Sequence, residues 1–134
     1  MKYNELKLGM KDYIEKKITE EDIIEFAKIS LDQNPVHLNE NYAKNTIFKK
    51  RIVHGMLSAS FISAVIGNKL PGCGSIYLKQ DFKFIAPVYI GDIIRAEVEI
   101  IKLNSDKKRV LLKTECFSNK KLVLNGKAEI LKID

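Results

Sequence analysis

The chain has 134 residues, a formal net charge of +6 and a sequence pI near 9.2, with two Cys and no Trp. That length suits one compact domain with a single core, residues 1–134, and two cysteines are too few for a disulfide framework and lack metal-ligand spacing. The basic residues are scattered and not interleaved with aromatics, so the excess charge favours an anionic partner without describing a nucleic-acid platform.

The N-terminus lacks the apolar stretch of a secretion signal, and no window approaches the roughly eighteen uninterrupted apolar residues of a membrane span. A cytoplasmic protein with no membrane and no nucleic-acid partner is expected. No repeat, low-complexity tract or linker divides the chain.

A short strand is expected at residues 13–18, followed by Thr19-Glu20-Glu21-Asp22, an N-cap with acidic residues in the first helical turn. Ile23, Phe26, Ala27, Ser30 and Leu31 then fall at the offsets of one helical face. Next comes Asp32-Gln33-Asn34-Pro35-Val36-His37. Proline pushes Asn34 toward an extended conformation, and Asn caps its own following turn, so a tight loop with Asp32 and His37 pointing the same way is expected. A carboxylate beside an imidazole can hold one water and pass its proton either way, which suits hydration, dehydration or hydrolysis. The same residues also describe a helix end with a hydrogen-bonded surface histidine, and the pair alone does not separate these readings.

Residues 55–70 form a second helix, with apolar side chains in every direction and no charge before Lys69. Such a helix must be buried nearly all round, and it is too short to span a bilayer. His54-Gly55-Met56 stands at its entrance. Helix N-termini expose unpaired N–H groups, and a glycine there lets a carbonyl oxygen approach without a Cβ in the way. A purely steric need for Gly55 is the alternative, and His54 reads as structural.

Beyond residue 75 period-2 alternation dominates. Ile76, Leu78, Phe82 and Phe84 share one face; Ile94, Ala96, Val98 and Ile100 alternate with charged residues; Val110, Leu112, Thr114 and Cys116, then Leu122, Leu124, Ala128 and Ile130, continue the pattern. Four strands with short connections predict an antiparallel meander that buries itself by curling around the apolar helix, an α+β layer. Gly72-Cys73-Gly74 reads as a turn after Pro71, Cys73 has no local reason for a depressed pKa, and no metal site is expected from Asp32, His37 and His54.

At these residues the sequence resembles the MaoC-like hot-dog family, in particular its short single-domain (R)-specific enoyl-CoA hydratases. The resemblance runs over residues 18–130. Its signature, Asp-x-Asn-Pro-x-His with Ala after five further residues, is matched by Asp32, Asn34, Pro35, His37 and Ala43. Ile52-Val53-His54-Gly55-Met56-Leu57, Leu70-Pro71-Gly72-Cys73-Gly74-Ser75-Ile76-Tyr77 and Pro87-Val88-Tyr89-Ile90-Gly91-Asp92 match as well, whereas Leu31 stands where the family commonly has Gly.

The resemblance implies a hot-dog fold, a curved antiparallel sheet wrapped around a long central helix. It also implies a hydro-lyase that adds water reversibly and syn to a trans-2-enoyl-CoA, giving an (R)-3-hydroxyacyl-CoA of short to medium chain. Asp32 and His37 would activate the water, Gly55 N–H would polarise the thioester carbonyl, and Asn34 would position the loop. Ser63 and Ile66 would lie along the acyl tail, and the Lys49-Lys50-Arg51 cluster could meet the CoA phosphates. No cofactor is implied, CoA entering as part of the substrate, and a homodimer or higher homo-oligomer is the expected assembly. A 3-hydroxyacyl-[acyl-carrier-protein] dehydratase and a hot-dog acyl-CoA thioesterase are the alternatives.

Overall fold

The computed structural model describes residues 1–134. Its first strand, β1, covers Lys11–Lys17 and overlaps the strand expected at 13–18. The helix α1, Glu20–Ser30, starts where the acidic N-cap signal lies: Thr19 Oγ1 accepts from Asp22 N–H at 3.1 Å while Asp22 accepts from Thr19 N–H at 2.9 Å. This reciprocal box satisfies donors that the helix itself cannot. Ile23 and Ala27 are buried as the periodicity requires, but Leu31 is not. It takes the left-handed conformation (φ 67°) that ends the helix, which turns its side chain out to 81 % exposure. Ser30, expected on the same inner face, is also exposed, its hydroxyl donating to the Phe26 carbonyl.

Two short helices follow, α2 (Pro35–Leu38) and α3 (Glu40–Lys44), then the long α4 (Gly55–Asn68). The strands β2 (Ser75–Gln80), β3 (Lys83–Phe84), β4 (Ile93–Asn104), β5 (Arg109–Ser118) and β6 (Lys121–Lys132) complete the chain. All pairings are antiparallel in one sheet of order β1-β4-β5-β6-β2, with β3 also on β6.

Alternation holds closely in the central strands. Ile94, Ala96, Val98, Ile100, Val110, Leu112, Thr114 and Cys116 are all buried, while the charged residues between them face outward. Lys11, Glu97, Glu99, Lys113 and Glu115 ladder that outer face with exposed ion pairs, each worth little on its own. In β6 an irregularity opposite Cys116 and Phe117 inserts Val123 between Leu122 and Leu124, so the inward set resumes at Leu124, Ala128 and Ile130.

The expected four-strand meander needs correction, because only β4, β5 and β6 are consecutive neighbours. Strand β2 lies beyond β6 at the sheet edge. The segment after β3 crosses the mouth of α4 instead of turning back, with Val53 N–H donating to Val88 O at 2.7 Å and Ile52 bridging Tyr89. Edge position and a register shift at Tyr77/Lys79 leave Ile76, Tyr77 and Leu78 exposed on both faces of β2.

Helix α4 lies against β4, with β1 and β5 also in contact, and the sheet curls around it. Leu57, Ala59, Ile62, Val65 and Ile66 enter the core. Burial is not all-round, however: Met56, Ser60, Ser63 and Gly67, at i, i+4, i+7 and i+11, form one exposed stripe. A curved antiparallel sheet around one long helix is the hot-dog architecture.

Candidate active site

Asp32, His37 and Gly55 come from three places, and each is held by a local reason. The left-handed end of α1 at Leu31 turns the chain, and Asp32 Oδ1 then accepts from Asn34 N–H at 3.1 Å. Asn34 Oδ1 in turn accepts from Val36 N–H at 3.2 Å and caps α2, so its carbonyl serves the backbone. His37 therefore sits on a helical turn and not on an open loop. Pro35 occupies the first helical position of α2, where its missing N–H costs nothing and its fixed φ is already helical, so Asp32 stays outside the turn that carries His37.

His37 is 8 % exposed and clamped from behind by residues 51–52. Its Nδ1 lies 2.8 Å from Ile52 O, Ile52 N–H donates to Val36 O at 3.3 Å, and Arg51 Nε–H donates to His37 O at 2.7 Å. A backbone carbonyl only accepts, so Nδ1 carries the proton and the neutral ring keeps its lone pair on Nε2. Arg51 also binds Glu20 at 2.6 Å, and its side chain is only 10 % exposed. The expectation that Arg51 belongs to a phosphate-facing cluster is thereby corrected: its guanidinium is turned inward to the His37 carbonyl. Lys50 lies over the Tyr89 ring at 4.7 Å.

His54, at the N-cap of α4, offers no side-chain cap to the helix. The Gly55 and Met56 N–H groups thus lie outside the helix's own hydrogen-bond ladder, which begins with Leu57 and Ser58 donating to His54 O. His54 instead stacks on His37, ring centroids 3.9 Å apart and planes at 27°, and its Nε2 lies 3.1 Å from Asp32 O. Phe26 of α1 meets the His54 ring edge-on at 4.9 Å.

His37 and Gly55 open on one cavity of about 360 Å³, whose wall includes Ser58, Phe84, Val88 and Leu124. Asp32 stands exposed beside it, and one ligating atom each from Asp32, His37 and His54 lie within 4.8 Å of one another. One water can span such a gap. These three side chains are also the group that could hold a cation, but one ring nitrogen of each histidine is already committed to a backbone carbonyl. Ser58 Oγ and His54 Nδ1 are the two buried side-chain polar atoms without a partner, and both belong to the first turn of α4 or its cap.

Ser63 and Ile66 lie elsewhere on α4: Ser63 is exposed and Ile66 is packed in the core, and neither lines this cavity. Sequence reasoning named Arg51 only as part of a basic cluster and missed its bond to the His37 carbonyl, for which there is no local signature. It also missed the ring column Phe26–His54–His37, for which the apolar face of α1 was the one available signal.

Residues 4–120 match the family model described as MaoC like domain. The chain is 48 % identical over 129 residues to an (R)-specific enoyl-CoA hydratase of Rhodospirillum rubrum, covering 96 % of this chain and 90 % of that one. It is 40 % identical over 126 residues to a 3-hydroxybutyryl-CoA dehydratase of Methylorubrum extorquens, covering 94 % and 80 %. The solved (R)-hydratase from Aeromonas caviae involved in PHA biosynthesis superposes with a TM-score of 0.92 at 40 % identity, over 96 % of this chain and 98 % of that one. No helix is long and apolar enough to cross a membrane. A family match across most of the chain, relatives of this identity and a shared hot-dog architecture place the chain in the MaoC-like family.

Proposed function

We propose that this chain is an (R)-specific enoyl-CoA hydratase, a hydro-lyase that interconverts trans-2-enoyl-CoA and (R)-3-hydroxyacyl-CoA. The observation that carries the reading is the convergence of the His37 imidazole and the uncapped Gly55 N–H on one largely apolar cavity, with an Asp32 carboxylate oxygen within 4.8 Å of a His37 ring nitrogen. The relatives in which this activity is named match over nearly the whole chain, and that supports it.

In this mechanism the Asp32 carboxylate and the lone pair on His37 Nε2 each accept a hydrogen bond from one O–H of a water, leaving its oxygen lone pair free for C3 of the substrate; one of these protons is removed as the C3–O bond forms and the other stays on the new hydroxyl. The C3–O bond forms as the C2=C3 π pair moves toward the thioester carbonyl. Its oxygen, placed at Gly55 N–H and the positive end of α4, carries the enolate charge. The proton removed from the water is then returned to C2 on the same face, completing a syn addition. Asn34 acts through the loop, tying Asp32 to the start of α2. No metal or cofactor takes part in these steps.

The assembly that goes with this reading is a homodimer. The outer edge of β2 has no strand partner and carries exposed Ile76 and Leu78, and the Met56-to-Gly67 stripe of α4 is exposed on the same isolated chain. Unpaired apolar edges of this kind invite pairing with a second sheet.

The test is the loss of enoyl-thioester absorbance with crotonyl-CoA, with chiral analysis of the product. Formation of (R)-3-hydroxybutyryl-CoA, and a fall of at least ~10²-fold in Asp32→Asn and His37→Gln, are expected. Release of free thiol instead would favour a thioesterase, and turnover confined to an enoyl carrier protein would favour the carrier-protein dehydratase.

A further inference from the structure

His54 takes no part in the steps above, yet it touches both groups that do. Its Nε2 faces the Asp32 carbonyl at 3.1 Å, and because a carbonyl only accepts, Nε2 carries the proton. The His37 ring, donating through Nδ1 to Ile52 O, is fixed in the opposite tautomer. The two imidazoles lie face to face at 3.9 Å, and Phe26 closes the far edge of His54 at 4.9 Å. His54 is 1 % exposed, so this column cannot slide without opening the core.

We propose that His54 is a positioning residue for the catalytic pair: its ring face sets the plane of His37, while its Nε2–H fixes the Asp32 backbone, so that one side chain registers both groups to each other. This inference rests on the hydratase reading above.

A supporting point is electrostatic. The second nitrogen, His54 Nδ1, is buried and has no partner, so a proton there would have no acceptor. Burial lowers the His54 pKa, the charge of a protonated His37 lowers it further, and the bond and charge of Asp32 offset this only in part. Asp32 and His37 are the charged or titratable groups that face it, and Phe26 on the third side is apolar. Two imidazoles stacked at this distance do not both become cations. His37 and not His54 lines the cavity, so the lone pair that can meet a substrate water belongs to His37.

The two contacts are separable by substitution. His54→Phe keeps a ring face and loses the donor; His54→Gln keeps an amide donor at the Nε2 position and loses the ring; His54→Ala loses both. Displacing a catalytic group by about 1 Å costs on the order of 10²-fold. His54→Ala should therefore lose about that factor in kcat for crotonyl-CoA with KM changed less than ~3-fold, and the Phe and Gln variants should each recover part of it.

The chain's two histidines also allow a test without turnover. In ¹⁵N-histidine spectra of the wild-type protein near neutral pH, one ring should show an Nε2–H tautomer and the other an Nδ1–H tautomer, the opposite pair that the two backbone carbonyls dictate. A folded His54→Ala with kcat within 2-fold of wild type, a change confined to KM, or two rings in the same tautomer would each overturn the inference. If His54→Ala does not fold, the Gln variant and the wild-type spectra decide. Absence of wild-type turnover sinks the hydratase reading, while the spectra still report on the geometry.

Discussion

Gly55→Ala separates the two readings of the glycine at the head of α4. A Cβ built there meets the Phe84 ring at 2.7 and 2.9 Å, whereas comfortable carbon–carbon contact is about 3.7 Å, so the ring must retreat by about 1 Å. Phe84 is 53 % exposed and its ring is the far end of a rotatable side chain, so the retreat is inexpensive for the fold. Gly55 does not use the left-handed backbone region either, and alanine is the better helix former. Folding stability should thus change by under ~1 kcal/mol, a shift in melting temperature of about 4 °C or less, taking ~2.1 cal/mol/K of unfolding entropy per residue. Activity should respond very differently. The new methyl group occupies the approach to the Gly55 N–H and moves a wall of the cavity, which at 1 Å of misplacement corresponds to about 10²-fold in kcat/KM. Melting curves paired with crotonyl-CoA hydration measure both. Adding Phe84→Ala distinguishes wall from approach: recovery of rate would assign the loss to the displaced ring, and no recovery to the blocked oxyanion position. A folded Gly55→Ala enzyme within 3-fold of wild type would refute the role of the bare glycine, and a variant that fails to fold would leave only the steric one.

Three further outcomes follow from contacts around the site. Arg51→Ala removes a charge-assisted bond to the His37 carbonyl, worth about 1.5–3 kcal/mol, and an ion pair to the exposed Glu20 that adds at most ~1 kcal/mol; a loss near 2 kcal/mol lowers the melting temperature by about 7 °C, with Glu20→Gln costing far less, and a shift under 2 °C would show that the clamp does not bear on stability. Cys116 is buried, its thiol pushed up to about 12 by desolvation, while Cys73 is exposed. A thiol reagent should therefore label one site in native protein and two after denaturation, and rapid native labelling of both would contradict the packing of β5 on α4. Because the folded-state pKa of His54 is lowered, the unfolded chain binds a proton that the native one does not once pH falls below about 6.5, so stability rises with pH through that window. Urea melts between pH 7 and 5 should show this slope, at most ~1.4 kcal/mol per pH unit for one proton, and His54→Phe should flatten it.

What was legible in the sequence is what local periodicity encodes. Strand β5, and β4 as far as Ile100, alternate because one face is core and the other is water, and the cap at Thr19 is a contact between neighbours in the chain. The Asp-x-Asn-Pro-x-His run is legible for the same reason: Asn34 caps the turn that carries His37. The position of β2 is not local. Its alternation resembles that of any half-buried strand, and only its pairing with β6, more than forty residues away, puts it at the edge with both faces exposed. Leu31 fits the apolar face of α1 by spacing, but the backbone reverses at that residue, and a period cannot report where a helix stops. Arg51 looked like one of three cations able to meet phosphates because the acceptor it binds, the His37 carbonyl, is a backbone atom that no pattern of side chains reveals.

The helices differ in how they begin, and the difference locates the chemistry. Thr19, Asn34 and Asn39 each place a side-chain oxygen on an N–H of the helix that follows, so α1, α2 and α3 start with their donors engaged. His54 occupies the equivalent position before α4 and makes no such bond, its ring being turned to Asp32 and His37. A serine or asparagine at position 54 would cap α4 at the expense of both contacts. The fold thus forgoes a cap worth about 1 kcal/mol at the one helix whose first N–H groups open on the cavity, and the side chain withheld from capping is the one that ties the acid–base loop to that helix. Donors left free at the floor of an apolar cavity are satisfied only by an acceptor brought in from outside. A thioester oxygen gaining negative charge meets that need better than the same oxygen at rest, and this difference between the two states is what a catalyst requires.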